Sequence, residues 1–368
     1  NSSDIPRYDK LVENRNGFLR YAEWYYGPQK RLLFSPHLKI FPRKKLLNTG
    51  KVTIAIQNFE ESRISRTFNS LTRITKNEKV NSLSVNGDFE FKIDKKYAFA
   101  YGFEGVYNDV NSFASKKDLI IEENFITGFT PALPFPTRYP SKGSSYRSYA
   151  VYINWVWDLN TQLTLNAGLR LTDTSLQGEW KEYYNINALL SSVKLNSEAL
   201  TETLSLIYRP NIKTKWKAII SNGFRNPNID DVGKIRENRG YLIVPNPMLL
   251  PEYAYNFELG LTKYLKKEKN YISIQGFTTL ISRHIGRNNY PIFSDQTTSS
   301  NNTILYNDEE LITLANNNLG NRYMLGASLD GSLYFTEKIS LRGDFNIINA
   351  LKNEQYGPLP SISPVFLN

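Results

Sequence analysis

Cysteine is absent from the 368 residues, and methionine and histidine occur only twice each. Without cysteine there is no disulfide framework, cysteine-zinc site, iron–sulfur cluster or thiol nucleophile. With His37 and His284 alone, a histidine-rich metal site is excluded as well. No run of eighteen apolar residues occurs and the mean hydropathy is −0.44, so no transmembrane helix is present. That test does not see a membrane strand, in which every second residue is polar. The opening Asn1-Ser2-Ser3-Asp4-Ile5-Pro6-Arg7 has neither the charged start nor the apolar middle of a signal peptide. What is plentiful is aromatic residues, 24 Tyr, 20 Phe and 5 Trp, and positive charge, 45 Lys plus Arg against 35 Asp plus Glu. That composition is far from the disordered class. The length suits two soluble domains or one large β domain.

Alternation dominates the chain. Leu83, Val85, Gly87, Phe89, Phe91 and Ile93 interleave with Ser84, Asn86, Asp88, Glu90 and Lys92. This period of two marks a strand with one apolar face. It recurs from Leu163 to Thr172 and from Ile339 to Ile347, and less regularly through 29–41, 49–63, 70–82, 97–113, 146–158, 198–209, 215–224, 252–264, 270–286 and 320–335. With 70–93 as one strand, about twelve strands result, and no stretch sustains a helical period. The class is all-β.

Connections alternate in length. Short ones at 42–48, 94–96, 159–162, 210–214, 265–269 and 336–338 carry Arg43, Lys44, Lys45, Lys95, Lys96, Lys266, Lys267 and Lys269. Longer ones at 114–145, 179–197, 225–251 and 287–319 collect Pro, Asn, Ser and Gly, and only 64–69 is brief. Short turns at one end and long loops at the other predict an antiparallel up-and-down transmembrane β-barrel of the bacterial outer membrane. Phe41, Tyr97, Trp155, Trp157, Tyr208, Trp216, Tyr264, Tyr271 and Phe335 lie close to the short turns, as an interfacial aromatic girdle does. Alternation alone leaves open which face meets lipid. Strand length and the lack of helices favour lipid outside, with Leu163, Leu165 and Leu169 outward and Asn166 and Arg170 inward. Asp88, Glu90, Lys92, Arg342 and Asp344 then line the lumen with Arg170.

With short turns in the periplasm, strand 29–41 runs down from the cell surface and strand 338–350 runs up to it, so both termini lie outside the cell. A single-chain barrel has both ends in the periplasm, and lipid does not accept unpaired edges. We therefore expect 1–368 to be part of an outer-membrane barrel domain, with an odd number of strands before it and another after it. Pro364 to Asn368 reads as a loop or the start of a strand, and the strands near 29–41 and 338–350 are expected not to pair.

Asn222-Gly223-Phe224-Arg225-Asn226-Pro227, followed by Asn246-Pro247-Met248-Leu249-Leu250-Pro251-Glu252, resembles the two-box loop signature of TonB-dependent outer-membrane receptors, a Phe-Arg-Ala-Pro box and then Asn-Pro-x-Leu before Pro-Glu. Asn226 stands where the family usually has Ala. Ala22 to Arg31 resembles the same family. The resemblance implies a 22-stranded barrel closed by a plug, with the plug and the TonB-binding segment outside this chain. It implies import of a scarce nutrient complex, of the siderophore, haem, cobalamin or oligosaccharide class, driven by the TonB complex. The partners would be outer-membrane lipid, TonB through the plug region, and a nutrient ligand at the extracellular loops.

The ligand-contact candidates are Arg225, Asn226, Tyr241 and Asn246. Arg225 has two readings, a bidentate anion contact or a tie between loop and wall. Haem-importing relatives carry an iron-ligating His between the boxes; residues 228–245 contain none, and Tyr241 is the one possible axial ligand there. Asp230-Asp231 reads as a solvated acidic pair rather than a calcium site, and His284 as a solvated rim histidine. No cofactor is expected. The aromatics follow strand ends rather than a compact basic face, so nucleic-acid binding is not expected. Neither His pairs convincingly with a Ser, so an enzyme is not expected. The alternatives are a passive outer-membrane porin and a soluble β-rich binding protein.

Overall fold

The computed structural model describes residues 2–15, 17–42, 47–94, 96–180, 192–238, 240–265, 269–291, 302–306, 309–351, 357, 359, 362 and 365–367. Arg43, Lys44, Lys45, Lys95, Lys266 and Lys267 of the basic turns, most of 179–197, and 292–301 within 287–319 lie outside the described residues.

Apart from short pairings near residues 5–19 and 125–134, the strands are β1 (Tyr21–Tyr26), β2 (Lys30–Phe34), β3 (His37–Ile40), β4 (Thr49–Thr67), β5 (Thr72–Lys92), β6 (Tyr97–Glu122), β7 (Ser144–Asp158), β8 (Leu163–Glu179), β9 (Ser192–Asn211) and β10 (Thr214–Arg225). They continue as β11 (Arg236–Asn238), β12 (Tyr241–Ile243), β13 (Glu252–Tyr264), β14 (Tyr271–Ser282), β15 (Ile285–Asn289), β16 (Thr303–Tyr306), β17 (Glu309–Asn318), β18 (Arg322–Tyr334), β19 (Ser340–Ala350) and β20 (Val365–Leu367). Consecutive wall strands pair antiparallel, from β4–β5 and β5–β6 through β6–β7 to β9–β10, then β10–β13, β13–β14, β14–β18 and β18–β19. β1, β2 and β3 lie in series along β4, one edge strand broken at Gly27-Pro28 and Ser35-Pro36, where proline lacks a donor. Counting those three pieces as one gives the twelve strands the alternation predicts. A short further strand, β20, pairs with β19. Among the described residues no register pairs join β1–β3 to β19 or β20.

The two faces of the wall differ in kind. Leu169 and Leu171 are 50% and 58% exposed, and Ile54, Leu83, Phe103, Val151, Leu204, Ile274 and Leu341 are exposed beside them. The opposite face pairs its polar groups with one another. Arg170 donates to Glu104 at 2.8 Å and lies over the Tyr152 ring, whose hydroxyl donates to Asp88. Gly102 makes room for that ring, since a Cβ there would stand 2.4 Å from the Tyr152 hydroxyl. A soluble sheet buries its apolar face; this wall exposes it, and lipid is the solvent that favours that arrangement.

Near the short turns the outward aromatics stack. Phe91 and Phe99 lie 4.9 Å apart between centroids, Phe99 and Trp155 6.0 Å, and Trp155 and Trp157 5.3 Å. Tyr264 and Tyr271 are a correction to the girdle. Register puts them on the polar face with Ser332, because they lie out of phase with Leu261 and Ile272.

The long loops are more ordered than alternation suggests. β6 runs on to Glu122, and Phe125–Phe129 and Leu133–Pro134 fold back along it. Above the apolar band both strand faces meet water, so strands continue there without an alternating signature. The segments 225–251 and 283–321 also fold together. β11, β12, β17, β15 and β16 form a second, five-stranded sheet in which β12 and β17 are parallel. Against it lies the buried core of the molecule, with Leu176, Trp180 and Val193 from the wall, Val232, Ile235, Leu242, Val244 and Leu249 from one loop, and Ile285, Leu311 and Ala315 from the other.

Candidate functional site

Both sequence boxes sit in this cap. A helical turn, Ile229–Val232, follows the first box, and Asn228 caps it in a reciprocal capping box with Asp231. Arg225 donates to both carboxylate oxygens of Asp231, at 2.6 and 2.8 Å. Of its two readings, the tie is thus formed, between the top of β10 and the helical turn. Arg225 nevertheless keeps 46% of its side chain exposed. Asn226 lies beside the Tyr146 hydroxyl, and Pro227 is fully buried.

In the second box Asn246 is 4% exposed. Its amide donates to the Asn316 carbonyl at 2.8 Å and to Asn317 Oδ1 at 3.1 Å, and its own Oδ1 accepts from the Met248 backbone at 2.9 Å. Asn316 donates to the Asp231 carbonyl at 3.0 Å, and Asn318 donates to the Leu250 and Arg283 carbonyls. The run Asn316-Asn317-Asn318 therefore stitches the two loops together. Composition marked this segment only as Asn-rich loop, and no spacing in the sequence distinguishes these amides from solvated ones. Tyr241, at the start of β12, is 40% exposed.

Two other readings are corrected. Asp230 and Asp231 are not a free acidic pair, since donors hold both. Asp230 accepts from Lys234 at 2.6 Å, from the Tyr139 hydroxyl at 2.7 Å and from Arg138 at 3.2 Å. Burial opposes its charge, but these donors outweigh it and hold the carboxyl down at about 2. His284 is not solvated either. Its Nδ1 meets Glu252 Oε2 at 3.0 Å, and that oxygen also accepts from the Ile285 backbone at 2.6 Å.

Below the cap, the polar face of the upper wall carries charged rows. Glu61 stands opposite Glu78 and Arg63 opposite Lys76 across β4–β5, and Arg63 donates to both glutamates. This height is above the apolar band, because the outward positions of β5 here are Asn77, Lys79 and Asn81. Lys76 lies over the Phe135 ring, and burial pushes its ammonium down to about 8.

Over residues 5–368 the sequence matches the family described as TonB dependent receptor-like, beta-barrel. The chain belongs to that family. As such it is an outer-membrane protein, placed among receptors rather than enzymes. No curated protein matches the sequence. Among solved structures, the copper transporter OprC is 13% identical with a TM-score of 0.69, over 93% of this chain and 50% of that one. A double mutant of the Serratia marcescens hemophore receptor HasR, in complex with HasA and heme, is 16% identical with a TM-score of 0.59, over 90% and 49%. The ferric yersiniabactin uptake receptor FyuA from Yersinia pestis is 14% identical with a TM-score of 0.57, over 92% and 45%. These are likenesses of fold. The chain spans about half the length of the structures it matches.

Proposed function

We propose that this chain is about half the wall of a TonB-dependent importer, a 22-stranded barrel whose remaining strands and plug lie in sequence outside residues 1–368. What supports this reading most is the inside-out wall, apolar outward and hydrogen-bonded inward, in a family member that spans half the length of its solved relatives. The importer binds a scarce nutrient complex beneath the cap and draws on the TonB complex through its plug. Tyr241 and Arg225 present exposed side chains to that ligand, while Asn246 holds the loop in place. Copper is a poor cargo for this half, which has no Cys, two Met and two His to supply soft ligands.

The test is nutrient-limited growth and uptake in a strain deleted for the full gene, with and without a functional TonB. Uptake that needs both supports the importer. Uptake that persists undiminished without TonB assigns the barrel to passive diffusion, as a porin.

A further inference from the structure

The cap and upper wall hold more positive charge than their carboxylates answer. Asp230 is shared by Lys234, Arg138 and Tyr139, Glu61 and Glu78 by Arg63, and Glu237 is engaged by Arg20. Arg236 and Arg287 make no hydrogen bond or ion pair with a described residue. Register places both on one face of the cap sheet. Arg236 lies in the row Ile243–Leu314–Asn289, and Arg287 pairs with Asn316 one row along. Leu242, Leu311 and Ala315 point the other way, into the core. Arg236 stands within electrostatic reach of Arg138, Arg287 and Arg63, and Asp230 acts on it in the opposite sense. The Arg138 Nε is buried without an acceptor, and the Lys76 ammonium lies over the face of Phe135 within reach of Glu78, which Arg63 already engages. Both side chains are exposed, and guanidinium groups held together without carboxylate partners favour an anion that enters.

We propose that Arg236 and Arg287, backed by Arg63, Arg138 and Lys76, bind a multivalent anion, a solute carrying at least two carboxylate or phosphate groups. The inference rests on the importer reading and names the class of its cargo. Guanidinium forks match carboxylate and phosphate oxygens two at a time, a pattern that a neutral sugar does not answer. A lipid phosphate is the other source of this chemistry. The wall members, Arg63 and Lys76, lie on the face opposite the outward Ile54, Ile56, Leu83 and Val85, which favours a solute.

The experiment is isothermal titration of the full-length receptor, in a non-ionic detergent at low salt, with citrate, pyrophosphate and inorganic phosphate. Citrate or pyrophosphate binds one to one, and inorganic phosphate binds more weakly. The double variant R236Q/R287Q weakens the multivalent anions by about ten- to a hundredfold, and R236K/R287K falls between, keeping charge but losing the fork. Both arginines lack partners among the described residues, so these variants fold. If neither citrate nor pyrophosphate binds, as when carboxylates of the plug already fill the cluster, the proposal is overturned. Equal binding by R236Q/R287Q overturns it as well. The importer reading fails separately. TonB-dependent uptake of a neutral nutrient that is unaltered in R236Q/R287Q sinks the anion site and leaves the importer. Anion binding that R236Q/R287Q abolishes, in a barrel whose uptake ignores TonB, does the reverse.

Discussion

Leu169 and Leu242 are the same residue in opposite solvents. Leu169, on β8, is half exposed on the outward face, with Ile153 and Glu202 as its cross-strand neighbours, and Leu242, on β12, is fully buried. The wall is held by continuous ladders of backbone hydrogen bonds and by lipid outside. The cap is held as a small soluble domain is, by a core of leucine, isoleucine and valine and by side-chain amides that close its seams. One chain thus uses two opposite rules for its leucines, and β8 carries both, with Leu171 exposed on the outward face and Leu176 buried on the inward face against the cap.

The largest effect that sharpens this contrast is a cavity in the cap. Leu242→Ala should cost about 2–5 kcal/mol of local stability. Hydrogen exchange should then speed up in β12 and β17 while the β7–β8 ladder stays protected. Equal loosening of both would mean that cap and wall are one cooperative unit. Next is charge on the lipid face. Leu169→Arg should destabilise insertion into vesicles by about 2–4 kcal/mol near the midplane and less toward an interface. A neutral result in a denaturant titration of folding would show that this face does not meet lipid.

A smaller loss is expected at the seam. Asn246→Ala leaves Asn317 and the Asn316 carbonyl without their donor, at about 1–3 kcal/mol. Limited proteolysis should cut the segment between β12 and β13 faster, with no change in the heat-resistant migration of the barrel. The smallest effect is that of acid. The Asp230 carboxyl lies below its ordinary value, so its contribution is present above about pH 4 and is lost as pH falls through its folded value of about 2. Cap protection should hold from pH 7 to pH 4 and weaken only below that, and Asp230→Asn should remove this acid step.

Much of the wall was legible in the sequence. Leu83 to Ile93 and Leu163 to Thr172 alternate because one side of each strand meets hydrocarbon and the other meets polar groups. A solvent boundary of that kind leaves a period of two in the residues themselves. The break of the first strand into β1, β2 and β3 was not read, although Pro28 and Pro36 were its signals. Tyr264 and Tyr271 misled because nearness to a turn says nothing of strand phase, which register alone supplies.

The cap was not legible for a different reason. β17 presents Leu311, Thr313 and Ala315 to one side and Ile312 and Leu314 to the other, so it carries no alternation. Its parallel partner β12 is about seventy residues away in the chain. Asn246 as a clamp depends in the same way on Asn316 arriving at its side, whereas the Arg225 tie to Asp231 is local. The sequence by itself determined the all-β class, the twelve wall strands and the family, because local periodicity and the two short boxes are written in neighbouring residues. Only the tertiary structure decided which polar residues of the loops are partnered and which, like Arg236 and Arg287, are not. Pairing of charges and amides is a matter of distance in space, and the two loops meet because the two paired strands between them, β13 and β14, end both loops at one edge of the wall.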